Sequence, residues 1–454
     1  MKKLMKKLSI VCVFMFITVI FTSCDLLFGG KRKPIQENNE PVYKPDYAWQ
    51  LQLDGMQLRS QAYTEGKYFY LLEFITDVDN NGSRLEKIRL VKIDMESGTY
   101  VWKSSKVFAD TSLNFSFSNI VKIEDRLYYM SPYGIVYCHS DLTGDVLAAV
   151  RIGKTEKEAI FNSCLYDIVT DGIDIYWSTR GNSDLMFRPF VKLEVSKIDY
   201  THSSEIQTII PESIYVRENY KECTVLTAPI IENRILYFIT MNTYTPIDKG
   251  KCILVAIDLT TKTVLWETEI EKLCGSVANS LYVHDDILYV LDSSLLKVNK
   301  NTGEIIFRYD EEEGPVFTKP LITPSEYICG IQYHEGKFYY TTVASRDAHL
   351  QINIAKEHVY SLVCVNAEDF RLEWGFHPVG GTSSTFPIIA NDRAYIVTHL
   401  DGLRVFDIKT GQLIGVDKTV LGWGDEVTFL YKNYYIFFNT DFDTNRAKLC
   451  AIRV

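Results

Sequence analysis

No apolar run in this 454-residue chain reaches the roughly 20 residues that a membrane-spanning helix needs. The longest, Leu8 to Phe21, stops at 14. No two cysteines are adjacent and none form C-x-x-C, which removes zinc-ribbon, thioredoxin-type and haem-attachment patterns. The eight histidines (139, 202, 284, 334, 349, 358, 377 and 399) never fall in H-E-x-x-H or H-x-H spacing, so zinc has no sequence support. P-loop, G-x-G-x-x-G and G-x-S-x-G signatures are missing too, and no catalytic set emerges. Nowhere is helical 3.6 spacing kept for more than a few residues. Positive charge is in deficit, 48 Lys and Arg against 58 Asp and Glu. Residues 1–23 hold four lysines and no acid, so the remainder stands at 44 against 58, a net −14. An acidic body argues against nucleic-acid binding and against flat adhesion to anionic lipid.

What is present in excess is aromatic: 13% of the chain, with 29 Tyr and 24 Phe. Aromatics suit half-buried pleated surfaces and favour strands. A turn followed by a Tyr-centred strand recurs eight times, as in EDRLYYM (124–130), ENRILYFI (232–239), HDDILYVL (284–291) and NDRAYIVT (391–398). Seven of the eight are followed by a strand, a tight turn and a further strand that often holds Trp, as in ILVAIDLTTKTVLW (253–266). With Phe69, Tyr128, Tyr176, Tyr237, Tyr289, Tyr339, Tyr395 and Tyr435 as anchors, seven steps cover 366 residues, about 52 each. That is close to the ~40–50 residues of a four-stranded propeller blade. The eighth copy ends at KLCAIRV (448–454) with no fourth strand, whereas YAWQLQL (47–53) has no repeat before it. Joining them completes a ring without open sheet edges. The expectation is an all-β, eight-bladed β-propeller over 47–454, its last blade shared by the two chain ends.

The first residues are a separate object. Lys2, Lys3, Lys6 and Lys7 precede the short apolar run, and Phe21-Thr22-Ser23 then lead to Cys24. This resembles the bacterial lipoprotein signal, although that family usually has Leu where Phe21 stands. The resemblance implies removal of 1–23, acylation of Cys24, and a lipid-anchored place in the cell envelope, facing the periplasm or the cell surface. Several acyl chains make a stable anchor where one does not. Residues 24–46, polar and Pro-punctuated, read as a flexible tether.

At TAPIIENRILYFIT (227–240) and TFPIIANDRAYIVTHLDGLRVFDIKTGQLIG (385–415) the wording is similar to the PQQ-like (quinoprotein-type) β-propeller repeat. The resemblance covers about 47–454. It implies that Trp102, Trp266 and Trp374 dock one blade on the next, and Trp49 is assigned the same role. Quinoprotein dehydrogenases carry PQQ, Ca²⁺, an aspartate base and a vicinal cysteine pair. No adjacent cysteines exist here, so no cofactor contact carries over and none is expected. The other branch holds non-catalytic lipoproteins, among them the eight-bladed lipoprotein of the outer-membrane β-barrel assembly machinery, which this arrangement resembles.

Spacing between the second and third strands of a blade is uneven, and the long insertions include 178–190, 240–250 and 342–358. Insertions gathered on one face signal binding. Phe187, Arg188 and Phe190 are the partner-binding candidates, against the plainer reading of loop packing. Asp77, Asp79 and Asn81 before Gly82 resemble the start of a calcium loop, but its twelfth position is Ile88. Ordinary hairpin turns prefer the same residues. Cys138, Cys252, Cys364 and Cys450 lie in apolar strands as buried thiols, whereas Cys164, Cys223, Cys274 and Cys329 are open to pairing. The leading functional expectation is a non-catalytic scaffold binding another envelope protein, possible partners including the outer-membrane assembly machinery. The rivals are an enzyme or small-ligand or sugar binder using the central channel, and a surface adhesin.

Overall fold

Alternating apolar residues around each Tyr phrase produce the second strand of a blade, and the positive-φ turn before it folds the inner strand back upon it. In the computed structural model the residues described are 40–57, 62–78, 84–105, 107–108, 117–164, 167–179, 190–202, 205–215, 224–225, 229–241, 252–270, 281–291, 295–308, 328–342, 362–376, 387–398, 402–421, 428–441 and 446–454. Among them the strands form eight sheets of four to six strands, almost wholly antiparallel. The second strands of blades 1 to 8 are Tyr68–Val78, Arg126–Met130, Ile175–Ser178, Ile235–Met241, Ile287–Leu291, Lys337–Thr342, Arg393–Thr398 and Tyr434–Asp441. Eight blades is the count read from the repeats. Tyr47–Gln52 pairs antiparallel with Arg446–Arg453, placing Trp49 opposite Ala451, so both chain ends complete blade 8. One short helix, α1 (Glu156–Asn162), is capped by Thr155 and lays buried Ala159 against Gly134.

The structure corrects two anchors by one residue. In blades 2, 4, 5, 6 and 7 the third residue of the second strand is a buried Tyr facing the next blade. In blade 1 that residue is Tyr70, not Phe69; Phe69 faces back and stacks on Phe429 of blade 8, centroids 4.6 Å apart. In blade 8 it is Ile436, and Tyr435 packs back on Tyr395 of blade 7. A slip of one reverses the face of a strand, and consecutive aromatics hide it.

Blade 3 departs further. Residues 195–208, where VSKIDYTHSSEIQT reads by its sequence as third strand, turn and fourth strand, are something else. The third strand is Phe190–Leu193 and the fourth is Glu212–Tyr215. Between them Ile206–Thr208 leaves the blade and lies parallel along Val146–Arg151, the outer strand of blade 2. Val195 and Ile198, which mimicked a strand pattern, are core residues of the blade 2–3 seam.

The paired apolar residues before Trp102 and Trp266 also have a structural cause. Seven blades carry a β-bulge there: Ala256 faces Trp266 and Ile257 faces Val264, leaving Leu265 as the extra residue. Val101, Ile306 and Ile414 hold the same place, and all four are exposed. The bulge restores the alternation that lets Trp face the neighbouring blade, and it kinks an outer edge that would otherwise invite pairing.

The indole N–H of Trp49 donates to Met95 O in blade 1 at 2.9 Å. Trp102 donates to Asp141 O in blade 2, Trp266 to Lys300 O in blade 5, and Trp374 to Ile408 O in blade 7. Each ring lies on a turn glycine of the blade that it reaches. At Gly98 and Gly411, φ is +66° and +69°, and a Cβ would stand 2.4 and 2.6 Å from the indole. Only glycine meets both demands.

Where Trp is missing, the partner changes with it. In the blade 5–6 seam Phe307 takes the Trp place and Phe370, at φ +55°, the glycine place, ring centroids 5.8 Å apart. In the blade 3–4 seam the two are Glu212 and Lys262, ion-paired at 2.6 Å, with Lys262 at φ +57°.

The compact unit that holds the ring runs Val42–Val454. Tyr43 N donates to Val416 O at 2.9 Å, and Asp46 pairs with Arg453 at 3.1 Å. Cys138, Cys364 and Cys450 are buried thiols, pushed up by burial to about 12, 11 and 12. Cys164 and Cys252 are buried as well, and Cys223 and Cys274 lie outside the described residues.

Candidate functional site

Charge enters this ring mainly at its seams. Glu73 sits on the second strand of blade 1, directly opposite Arg89 on the third, and is fully buried. Arg89 Nε donates to Glu73 at 2.7 Å and its Nη2 reaches Asp54, just past the closing strand. Tyr100 Oη donates to Glu73, and Lys103 pairs with Asp54 at 2.8 Å. One seam further, Asp141 of blade 2 gathers Tyr70 Oη at 2.6 Å, Lys92 at 2.7 Å and Lys122 at 2.8 Å, with Lys122 also on Glu65. Burial opposes ionisation of Asp141, but these donors outweigh it and hold the carboxyl below its ordinary range. Between blades 3 and 4, Arg234 pairs at 3.1 Å with Asp171, whose side chain is buried and accepts from Tyr176 Oη. Lys192 meets Asp174, Glu194 and Glu212. These groups hold one another.

His139 is the buried imidazole of blade 2. Its Nδ1 lies 3.0 Å from Gly144 O and its Nε2 lies 3.3 Å from Tyr129 Oη, and burial lowers its pKa to about 4. The folded chain therefore keeps His139 neutral where the unfolded chain, titrating near 6.5, takes up a proton. Between pH 6.5 and 4 the unfolded state binds more protons, so stability falls as pH falls, by about 3 kcal/mol in all. Urea unfolding at pH 7 and 4.5 is expected to show this loss, and His139→Gln is expected to remove most of it. An equal loss in wild type and variant would refute the assignment. Burial likewise raises Asp167, beside Asn119 at the blade 3 inner strand, to about 6.

The inner strands of blades 5 and 6, Leu281–His284 and Ile328–His334, present the one aromatic cluster on inner strands that is half open among the described residues. Tyr282 and Tyr333 stack with centroids 5.8 Å apart, and His284 lies 4.4 Å from Tyr333. His284 is about two-fifths exposed, with Asp285 3.7 Å from its Nε2. Rings with one free face and a nearby donor can stack a planar or sugar-like ligand.

Of the residues named from sequence, Phe190 is corrected: it is fully buried and stacks on Phe238 of blade 4 at 5.0 Å, so it is seam core and not a partner contact. Phe187, Arg188, Asp79, Asn81 and Cys24 lie outside the described residues. Asp77 is on strand Tyr68–Val78 opposite Leu85. The charged seams escaped sequence reading, because Glu73 and Arg89 look like solvent-facing residues of an alternating strand.

No family model matches this chain, and no curated protein does. Solved structures do. A europium-containing methanol dehydrogenase is 11% identical, covering 90% of this chain and 93% of its own, at TM-score 0.62. The quinohemoprotein alcohol dehydrogenase ADHIIG from Pseudomonas putida HK5 is 10% identical over 92% and 77%, at 0.57. BamB from Moraxella catarrhalis is 11% identical over 78% and 97%, at only 0.41. The fold is thus that of the quinoprotein propellers, as the repeats implied, and at these identities the likeness is of fold alone. No group of three His, Cys, Asp or Glu converges to hold a cation among the described residues. The buried thiols named above sit in separate blades, and the sequence has no C-x-x-C-H.

Proposed function

We propose that this chain is a non-catalytic, membrane-anchored lipoprotein whose propeller is a protein-binding scaffold in the cell envelope. The observation that carries the reading is the use of the buried charges. Glu73, Arg89, Lys92, Asp141, Asp171 and Lys192 all pair across or beside seams. A propeller built this way is rigid at its seams, and its binding specificity resides in the long second-to-third-strand insertions of the sequence. The Cys24 motif supplies the anchor. Growth with an alkyne palmitate analogue is expected to label the wild-type chain and not Cys24→Ala, with the variant moving to the soluble fraction. Crosslinking in detergent-solubilised membranes is expected to recover one stoichiometric envelope protein. Labelling of Cys24→Ala, or repeated crosslinking without a specific partner, would overturn the reading. A second reading, a channel-side ligand binder, is favoured by the Tyr282–His284–Tyr333 cluster. Native mass spectrometry of purified protein showing a 1:1 small molecule would select it instead.

A further inference from the structure

Two seams have neither a docking Trp nor the substitutes described above. The Trp place is Ala148 in the blade 2–3 seam and Gly415 in the blade 7–8 seam, facing Cys138 and Val405 respectively. Both put a small residue where four other blades put an indole, and both places are approached by the same arrangement.

In blade 2, Ile206–Thr208 runs parallel along the outer strand, Ala149 opposite Ile206. The strap brings Tyr200, whose hydroxyl lies 2.9 Å from that of Tyr128, the third residue of the second strand. Arg126, the first residue of that strand, stacks 4.1 Å from the Tyr200 ring. Tyr200 Oη also donates to Val195 O at 3.4 Å, five residues earlier on the same segment, which fixes the ring in place. In blade 7, Val42 forms a parallel bridge with Val416, next to Gly415, and Tyr43 N donates to Val416 O. Tyr43 shares a side-chain hydrogen bond with Tyr395, again the third residue of the second strand, and feels the charge of Arg393, again the first. Its ring packs on the blade 7–8 core. In the Trp seams the indole stands 6.0–6.2 Å from the same Tyr position, at Tyr70, Tyr237 and Tyr339.

We propose that Tyr43 and Tyr200 are stand-ins for the docking tryptophan, each carried to its seam by a strap laid parallel on a blade's outer edge, and that the strap at 42–46 is a latch whose displacement loosens the blade 7–8 seam. Residues 42–46 are held on the ring by the bonds to Val416 and Tyr395 and by the Asp46–Arg453 pair, so this strap is less embedded than the docking indoles. The inference concerns this chain's own residues and does not rest on the lipoprotein reading.

Amide hydrogen exchange of the full chain, read by mass spectrometry, tests it. Tyr43→Ala is expected to speed exchange about tenfold in strands Arg393–Thr398 and Tyr434–Asp441, leaving blades 3 to 5 unchanged. Tyr43→Phe, which loses only the hydroxyl, is expected to give a smaller increase at the same two strands and guards against a misfolded alanine variant. Placing the indole back, as Tyr43→Ala with Gly415→Trp, is expected to restore slow exchange. Tyr200→Ala and its rescue by Ala148→Trp are expected to do the same at blades 2 and 3. Uniform acceleration around the ring, no acceleration, or folded double variants that remain fast at the seam would each overturn the proposal.

Discussion

A chain beginning at Asp54 is expected to lose its cooperative thermal transition, while one beginning at Glu40 melts like the full chain. The first truncation removes Tyr47–Gln52 and with it the outer strand of blade 8. Trp49 goes too, with its bond to Met95 O and its contact on Gly98. So does fully buried Leu53, part of the core joining blades 8 and 1. Loss of a buried Leu costs about 2–5 kcal/mol, and loss of the half-buried Trp49 and of the strand's pairing adds to it. Together these approach the whole stability of a typical domain, about 5–15 kcal/mol. The remaining eight-residue strand Arg446–Arg453 becomes an open edge ready for intermolecular pairing. Circular dichroism melting with size-exclusion chromatography checks the outcome. Equal midpoints for the two truncations, both monomeric, would show that the ring does not depend on this closure.

The second large effect is expected at the Glu73–Arg89 pair. Arg89→Ala leaves a carboxylate fully buried without its guanidinium, and breaking such a pair costs about 3–5 kcal/mol. Tyr100 Oη remains as a donor but cannot neutralise the charge. Glu73→Leu with Arg89→Met replaces the pair by apolar groups of similar size and is expected to recover most of the loss. Urea unfolding of both single variants and the double gives the coupling by a double-mutant cycle. Additive losses would mean that the pair does not act as a unit.

The blade count, the shared last blade and the docking indoles were all visible in the sequence, because a strand rule repeated eight times sets the frame against which the others stand out. Alternation marked the Tyr strands, Asp/Asn-Gly marked the turns, and an unmatched strand at each end marked the closure. The failures are local rules that mislead. At Tyr68-Phe69-Tyr70 three consecutive aromatics gave no means of choosing the face. At 195–208 the apolar residues are buried by the seam between blades and not by pairing within one. Phe190 looked like a loop aromatic beside Arg188, whereas the structure makes it the first residue of a strand against Phe238. The exchange of Trp and glycine for Glu212 and Lys262 joins residues 50 positions apart on different blades, where single-strand periodicity carries no information.

Closure by the two chain ends also sets an order of events during synthesis. Trp49 emerges first and must wait for Ala451, some 400 residues later, before its strand has a partner. At about 5–20 residues per second that delay is tens of seconds. Throughout it the Tyr47–Gln52 segment is a β-prone stretch with nothing to pair with, while the intervening blades are able to stack as an open arc. Contacts of such long range are slow to form. Completion of the ring therefore waits on the third strand of blade 8, and the interval before it is when this chain is most exposed to pairing with the wrong neighbour.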